Sequence, residues 1–292
     1  MIITPDTSAR FISKTRLPKA PPAPRRTRSG NGVADQPPLQ LRATEAQALV
    51  VGSGLVVAAD QVPVQVREDI INCVLFAQLV ATAEVGDPSQ AQAWYAAYFR
   101  ALTMLGWAQS DQRFEEYDFS GQGFEAHKAV IPVLTALLGP QASALSVVTA
   151  MMQGLEEMED NAPWLTLFEQ QVRTEHSAAF QIATAEVGAD GLLQVALVAF
   201  ELKARAKLSQ LLFFKYTSST TKLRYSAGRA TIFEAALAQQ RADLAARMVP
   251  YRTAYVGSVK LPAFPKPPAQ RSRSSSQVRQ VRHVRPAGTP KG

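Results

Sequence analysis

The chain predicts an α+β domain: an N-terminal helical layer packed on a small antiparallel sheet, a C-terminal helix, and disordered basic tails at both ends. Three observations predict it. Apolar residues recur at helical spacing between residues 63 and 107, and alternating apolar runs around an Asp-Gly turn follow between 179 and 225. The two ends are rich in Pro, Arg and Ser. The division is a Pro/Arg-rich arm over 1–42, one domain over 43–255 and an Arg/Ser-rich tail over 256–292.

The strongest helical signal is AWYAAYFRALTMLGW, ending at Trp107. Ala91, Trp94, Tyr95, Tyr98, Leu102 and Leu105 fall three and four apart, which is one face of a helix. Asp87 and Pro88 suit its start, and Gly106 suits a left-handed stop. Its aromatic side chains read first as core, and second as a ligand pocket or a lipid-facing surface. Just before it, PVQVREDIINCVLFAQLVATAEV leaves little polar circumference and predicts a buried helix, with Pro63 in the first turn. Cys73 lies inside it and reads as a small core residue, because a reactive thiol needs an exposed, electropositive setting.

The preceding run ALVVGSGLVVAADQ, with Gly52 and Gly54, predicts a buried strand or turn. It lacks the third glycine and the βαβ context of a dinucleotide site. After Trp107 the period changes, and Phe114, Tyr117 and Phe119 predict an edge strand. FEAHKAVIPVLTALL and ASALSVVTAMMQGLEEM predict two helices joined at Gly139-Pro140. Residues 179–187 and 192–202 predict a hairpin turned at Asp190-Gly191, followed by strands at 211–217 and 221–225. This sheet is apolar on both faces and needs cover on both. The earlier helices supply one layer, and the helix at 231–248 or another subunit supplies the second.

The formal charge of +7 is unevenly spread. Residues 1–42 carry +6, residues 260–292 carry +8, and the body between them is acidic at −7. One cysteine excludes an internal disulfide, so the fold depends on its core. No apolar run of transmembrane length and no Sec-type signal is visible, which predicts a cytoplasmic protein or one exported by another route.

Motifs of chemistry are missing. His127, His176 and His283 share no metal-ligand spacing, and no P-loop, HExxH or GxSxG is present. Glu115, Glu116 and Asp118 form an acidic cluster that reads as a solvated edge. Ser218 to Lys222 is a polar cluster that reads as a hydrogen-bonded strand end before it reads as an anion site. No cofactor and no catalytic residue is predicted. The tails carry the functional hint: Arg25, Arg26, Arg28, Arg271, Arg273, Arg279, Arg282 and Arg285 are candidates for binding nucleic acid or an anionic membrane. Without interleaved aromatics, nucleic-acid binding would be sequence-blind and salt-sensitive.

WYAAYFRALTMLGW, FEAHKAVIPVLTALL and FFKYTSSTTK together resemble a poorly characterised group of bacterial and fungal proteins. That group shares a Trp-Tyr…Leu-Gly-Trp helix and an aromatic-Ser-Ser-Thr-Thr strand end. The resemblance spans about residues 45–250 and implies an α+β domain, with no activity to carry over.

Three functions follow. The first is a non-enzymatic interaction or assembly protein, a homo-oligomer or part of a larger complex, whose acidic domain docks while its arms grip a polyanion or acidic partner. The second is a membrane-active protein, a toxin or pore-forming component, exposing helices 64–85 and 91–105 on lipid. The third is an enzyme whose site is assembled only in three dimensions.

Overall fold

The computed structural model describes residues 4–21, 39–87, 90–109, 113–117, 124–156, 177–188, 191–203, 215–216, 222–232, 234–259 and 261. The α+β class holds: six helices and an eight-stranded, mostly antiparallel sheet lie among them. In chain order the elements are α1 (Pro5–Lys14), β1 (Gln47–Val51), β2 (Gly54–Ala58), α2 (Val64–Val85), α3 (Ala91–Met104), β3 (Trp107–Gln109) and β4 (Glu115–Glu116). Then come β5 (Phe124–Glu125), α4 (Ala126–Leu138), α5 (Ser143–Glu156), β6 (Ser177–Val187), β7 (Leu193–Lys203), β8 (Lys215–Tyr216), β9 (Lys222–Ile232), α6 (Glu234–Tyr255) and β10 (Val256–Ser258).

The sheet runs β10-β1-β2-β6-β7-β9-β3, with β4 also on β9. Only the β2–β6 pair is parallel, and α2 to α5 lie in the connection between those two strands. The β6–β7 hairpin forms as the Asp-Gly signal predicts, paired from Ser177–Lys203 to Val187–Leu193. Gly191 has φ +77, and Gly188 N–H donates to the Leu192 carbonyl at 2.9 Å.

Alternation along the strands gives the sheet two apolar faces. Ala183, Ala185, Val195, Leu197, Ala199 and Ala230 face α2, α3 and α6. Phe180, Ile182, Val198, Phe200, Leu202 and Leu223 face α4 and α5. Cover on both faces is therefore needed and present. The C-terminal helix, one of the two expected sources of the second layer, does not supply it. It joins α2 and α3, because Arg241 and Arg252 pair with Asp69 and Glu68 of α2. The second layer is α4 with α5.

Other expectations are corrected. Residues 5–14 are a helix docked on the body, not part of an extended arm. Thr4 Oγ1 accepts from the Thr7 N–H at 3.4 Å, Pro5 fits the first helical position, and Ile12 is buried against the core. The folded body also runs past residue 255, since β10 pairs with β1. Helix α6 passes through Pro250 to Tyr255, its last turns held by Arg252 to Glu68 and Asn72 and by the Tyr251 hydroxyl to the Pro18 carbonyl. Gln90 caps α3 in place of Asp87, and Pro63 caps α2 rather than entering its first turn. Of the strand expected at 211–217, residues 215–216 pair with β5 in a separate two-stranded ladder. Strand β9 pairs directly with β7.

The GSG run is the tip of the β1–β2 hairpin, not a phosphate-binding turn. Gly52 has φ +55, and its N–H donates to the Tyr255 carbonyl at 2.7 Å. The Gln78 amide of α2 fills the tip: its Oε1 accepts from Ser53 N–H at 3.0 Å and its Nε2 donates to the Val51 carbonyl at 2.8 Å. A Cβ on Gly52 would stand 2.0 Å from Gln78 Oε1. Gly52→Ala is therefore expected to destabilise by about 2 kcal/mol or more, from left-handed strain plus loss of the Gln78 contacts, read as a lower urea midpoint.

Arg67 fastens the start of α2 to the loops around it. It is 0% exposed, and its guanidinium donates to the carbonyls of Val62, Ala59, Asp60 and Glu45 and to Gln47 Oε1, at 2.6–3.1 Å. Burial pulls its pKa below the ordinary arginine value, while nearby Asp60 acts in the opposite sense. Arg67→Met takes this donor from all five acceptors, leaving only Gln47 Oε1 (from Arg42 N–H) and the Ala59 carbonyl (from Val62 N–H) with another, and is expected to cost about 3–5 kcal/mol by urea unfolding. Arg67→Lys is expected to restore only a minor part, because one ammonium cannot reach all five acceptors.

Candidate functional site: the concealed α2–α3 layer

Helix α2 is buried on every side, and the polar residues of its buried stretch, Asp69, Asn72 and Gln78, are hydrogen-bonded. Every residue from 69 to 81 is buried, which is more than three turns. The sheet lies below it, α3 beside it, and α6 and α1 cover the rest. Gly86, at φ +69, ends the helix and lets the chain reverse into α3. The Trp94 indole N–H donates to Thr82 Oγ1 at 3.1 Å, and Arg100 pairs with Glu84, so the two helices are also joined at the rim.

The aromatic stripe on α3 is core, as its spacing predicts. Trp94 stacks on Tyr98 with centroids 5.5 Å apart, and Tyr95 lies against Phe99 and Phe114. The sheet beneath presents small side chains, Ala183, Ala185, Ala199 and Ala230, which make room for these rings. The Tyr95 hydroxyl lies 2.9 Å from each of the Phe180 and Phe200 carbonyls of the central strands. Burial raises its pKa well above the ordinary phenol value, Tyr98 and Glu201 add to that, and the Phe200 carbonyl acts in the opposite sense.

Between helices and sheet runs a polar seam that sequence reasoning missed. Glu201, 2% exposed, has Lys203 Nζ at 2.9 Å and Arg224 Nη1 at 3.5 Å. Among the described residues the Tyr98 hydroxyl and Gln181 Oε1 are buried without a hydrogen-bond partner. A layer interface with such groups is held less firmly than a fully apolar one. The alternation in AFELK is the only local trace of Glu201, and nothing local tells that its face is covered.

Cys73 is 0% exposed, the core residue that its context predicts. Burial pushes its thiol up to about 12, against the pull of the neighbouring Trp107 indole N–H. Burial likewise pushes the Tyr98 phenol up. A thiol reagent at about pH 8 is therefore expected to leave Cys73 unmodified until urea unfolds the chain. The fold holds this proton more tightly than the unfolded chain, whose thiol titrates near 9.0. The contribution is thus intact below about pH 9 and falls as pH rises toward 12, and Cys73→Ala is expected to flatten part of that alkaline slope in unfolding free energy.

The remaining candidates are placed as follows. Arg25, Arg26, Arg28, Arg271, Arg273, Arg279, Arg282 and Arg285 lie outside the described residues. So do His176, His283, Asp118, Phe119 and the Ser218 to Thr221 cluster. Glu115 accepts from the Tyr225 hydroxyl at 3.3 Å, and Glu116 lies 3.6 Å from Lys222. The acidic edge is thus paired with β9. Among the described residues no group of three or more His, Cys, Asp or Glu is arranged to hold a metal. No helix among them is long and apolar enough to cross a membrane.

No family model and no curated protein matches this chain. Among solved structures, a delta-endotoxin is similar at TM-score 0.37 and 14% identity, over 73% of this chain and 90% of that one. The activated Cyt2Ba monomer from Bacillus thuringiensis subsp. israelensis is similar at TM-score 0.28 and 15% identity, over 46% and 78%. The Evf virulence factor is similar at TM-score 0.33 and 9% identity, over 71% and 87%. All three TM-scores are below 0.5, so the likeness carries no argument about function.

Proposed function

We propose that this chain is a membrane-active protein, of the toxin or pore-forming kind, that keeps its lipid-seeking helices α2 and α3 covered and exposes them on lipid. The observation that carries the reading is the all-round burial of residues 69–81. That apolar helix lies beneath covers fastened by polar contacts at the rim: Arg241 to Asp69, Arg252 to Glu68 and Asn72, and Arg247 to the Ser13 and Thr15 carbonyls. Among the described residues only Leu192 and Val249 are large apolar side chains left exposed, which gives assembly through an apolar face little to build on.

The uncharged stretch of α2, residues 70–83, is about 20 Å long as a helix, short of a hydrocarbon core of about 30 Å. It therefore enters the interface rather than spanning the bilayer. Trp94, Tyr95 and Tyr98 of α3 are of the type that settles at headgroup depth.

The full chain is expected to release dye from lipid vesicles and, in doing so, to make Cys73 reactive. Arg241→Ala with Arg252→Ala, which loosens the cover, is expected to speed release several-fold. A folded chain that releases no dye from any vesicle composition would end this reading and return assembly to first place.

A further inference from the structure

We infer that helix α1 and the stretch behind it, residues 5–20, form a latch that senses anionic lipid and uncovers α2. The inference rests on the membrane-active reading and adds the partner and the regulation.

The segment has two faces. Its inner face buries Ile12 and Ser8, sets Phe11 edge-on against Phe76 of α2 at 5.7 Å, and packs Leu17 and Ala20 on the same core. Its outer face carries Arg10, Lys14, Arg16 and Lys19, all exposed, against one acid, Asp6. Arg10 and Lys14 are four apart and line one side of the helix. Among the described residues none of these four cations has an acidic partner within ion-pair distance. By contrast Arg42, Arg100, Arg224 and Arg252 each face a carboxylate. The element that covers Phe76 thus carries four exposed cations with no carboxylate beside them among the described residues.

Beside this apolar face, the polar attachments of the element are few. Ser8 Oγ donates to the Met104 carbonyl at 2.8 Å, Arg247 donates to the Ser13 carbonyl at 2.7 Å and to that of Thr15, and the Tyr251 hydroxyl donates to the Pro18 carbonyl at 2.7 Å. Headgroups and interfacial water can take over such bonds. A short amphipathic helix with cations on one side and Phe and Ile on the other suits an anionic lipid surface, where its apolar side exchanges Phe76 for acyl chain. Its departure lays Phe76 and the adjoining turn of α2 open toward the same membrane.

The test uses the full chain with phosphatidylcholine vesicles, pure or with about a third phosphatidylserine. It reads sedimentation, dye release, and hydrogen exchange over residues 64–85. Two variants are compared: Arg10→Ser, Lys14→Ser, Arg16→Ser, Lys19→Ser, and a tail variant with Arg271→Ser, Arg273→Ser, Arg279→Ser, Arg282→Ser. The wild type is expected to expose α2 and release dye only with phosphatidylserine. The first variant, whose exposed positions leave Tm unchanged, is expected to lose binding on the order of a hundredfold or more and to keep α2 protected. The tail variant is expected still to expose α2.

Equal exposure of α2 in the first variant and the wild type would overturn the latch and leave the membrane reading intact. So would equal release from pure phosphatidylcholine. The same four cations binding duplex DNA while vesicles leave α2 protected would overturn the latch in favour of nucleic acid. No release from any vesicle by any form would remove the membrane reading and the latch together.

Discussion

A helix buried around its whole circumference must be covered around its whole circumference, and the sheet, α1, α3 and α6 together cover residues 69–81 of α2. The sheet supplies the floor, α3 one wall, α6 another, and α1 the remaining strip over Phe76. Burying a Leu, Ile, Val or Phe is worth about 1.5–3 kcal/mol, and α2 buries many of them, so each cover gains by staying. That one need explains why two distant segments of the chain meet. Residues 5–20 and 234–255 are far apart in sequence, yet both close on the same helix.

Placement of the covers is decided by a few polar contacts rather than by apolar area. Asp69 is 4% exposed and takes a two-pronged bond from Arg241, while Arg252 reaches both Glu68 and Asn72 one turn away. Apolar packing alone would allow α6 to slide or rotate along α2, whereas these forks fix its register. Arg67 does the same at the start of α2, holding the Val62, Ala59 and Asp60 carbonyls that lead into the helix.

The parts legible in the sequence are those set by local pattern. The period of α2 and α3, the left-handed Gly106 at φ +89 and the β6–β7 hairpin depend on neighbours within a few residues, and they form as read. Helix α1 is hidden by averaging: a Thr-Pro-Asp start sits in a stretch whose overall composition is that of an extended arm, and tertiary contacts, to Phe76 and the Met104 carbonyl among them, keep so short a helix folded. The layer of α6 was illegible because the Arg241–Asp69 pair that decides it joins residues 172 apart. For the candidate site, the apolar character of α2 was visible, but its covers and the buried Glu201 were not. Alternation assigns a residue to a face without telling what lies over that face.

On the membrane-active proposal, the two kinds of contact would respond differently to lipid, and that difference would set the direction of change. In water, apolar area holds the covers down and the rim bonds only position them. Against lipid tails, as apolar as leucine, the same area loses most of its advantage, because leaving the sheet no longer means entering water. What then opposes release is the set of ion pairs and hydrogen bonds at the rim, together with the Tyr95 hydroxyl on the Phe180 and Phe200 carbonyls. The rim contacts are partly exposed, where headgroup phosphates would compete for Arg241, Arg252 and Arg247, and headgroup amines for the acceptors those arginines bind. The Tyr95 contact is buried and has no such competitor until the rim has opened. On the membrane-active proposal, release would have an order: rim first, then the α3–sheet seam, with Tyr95 among the last contacts to yield.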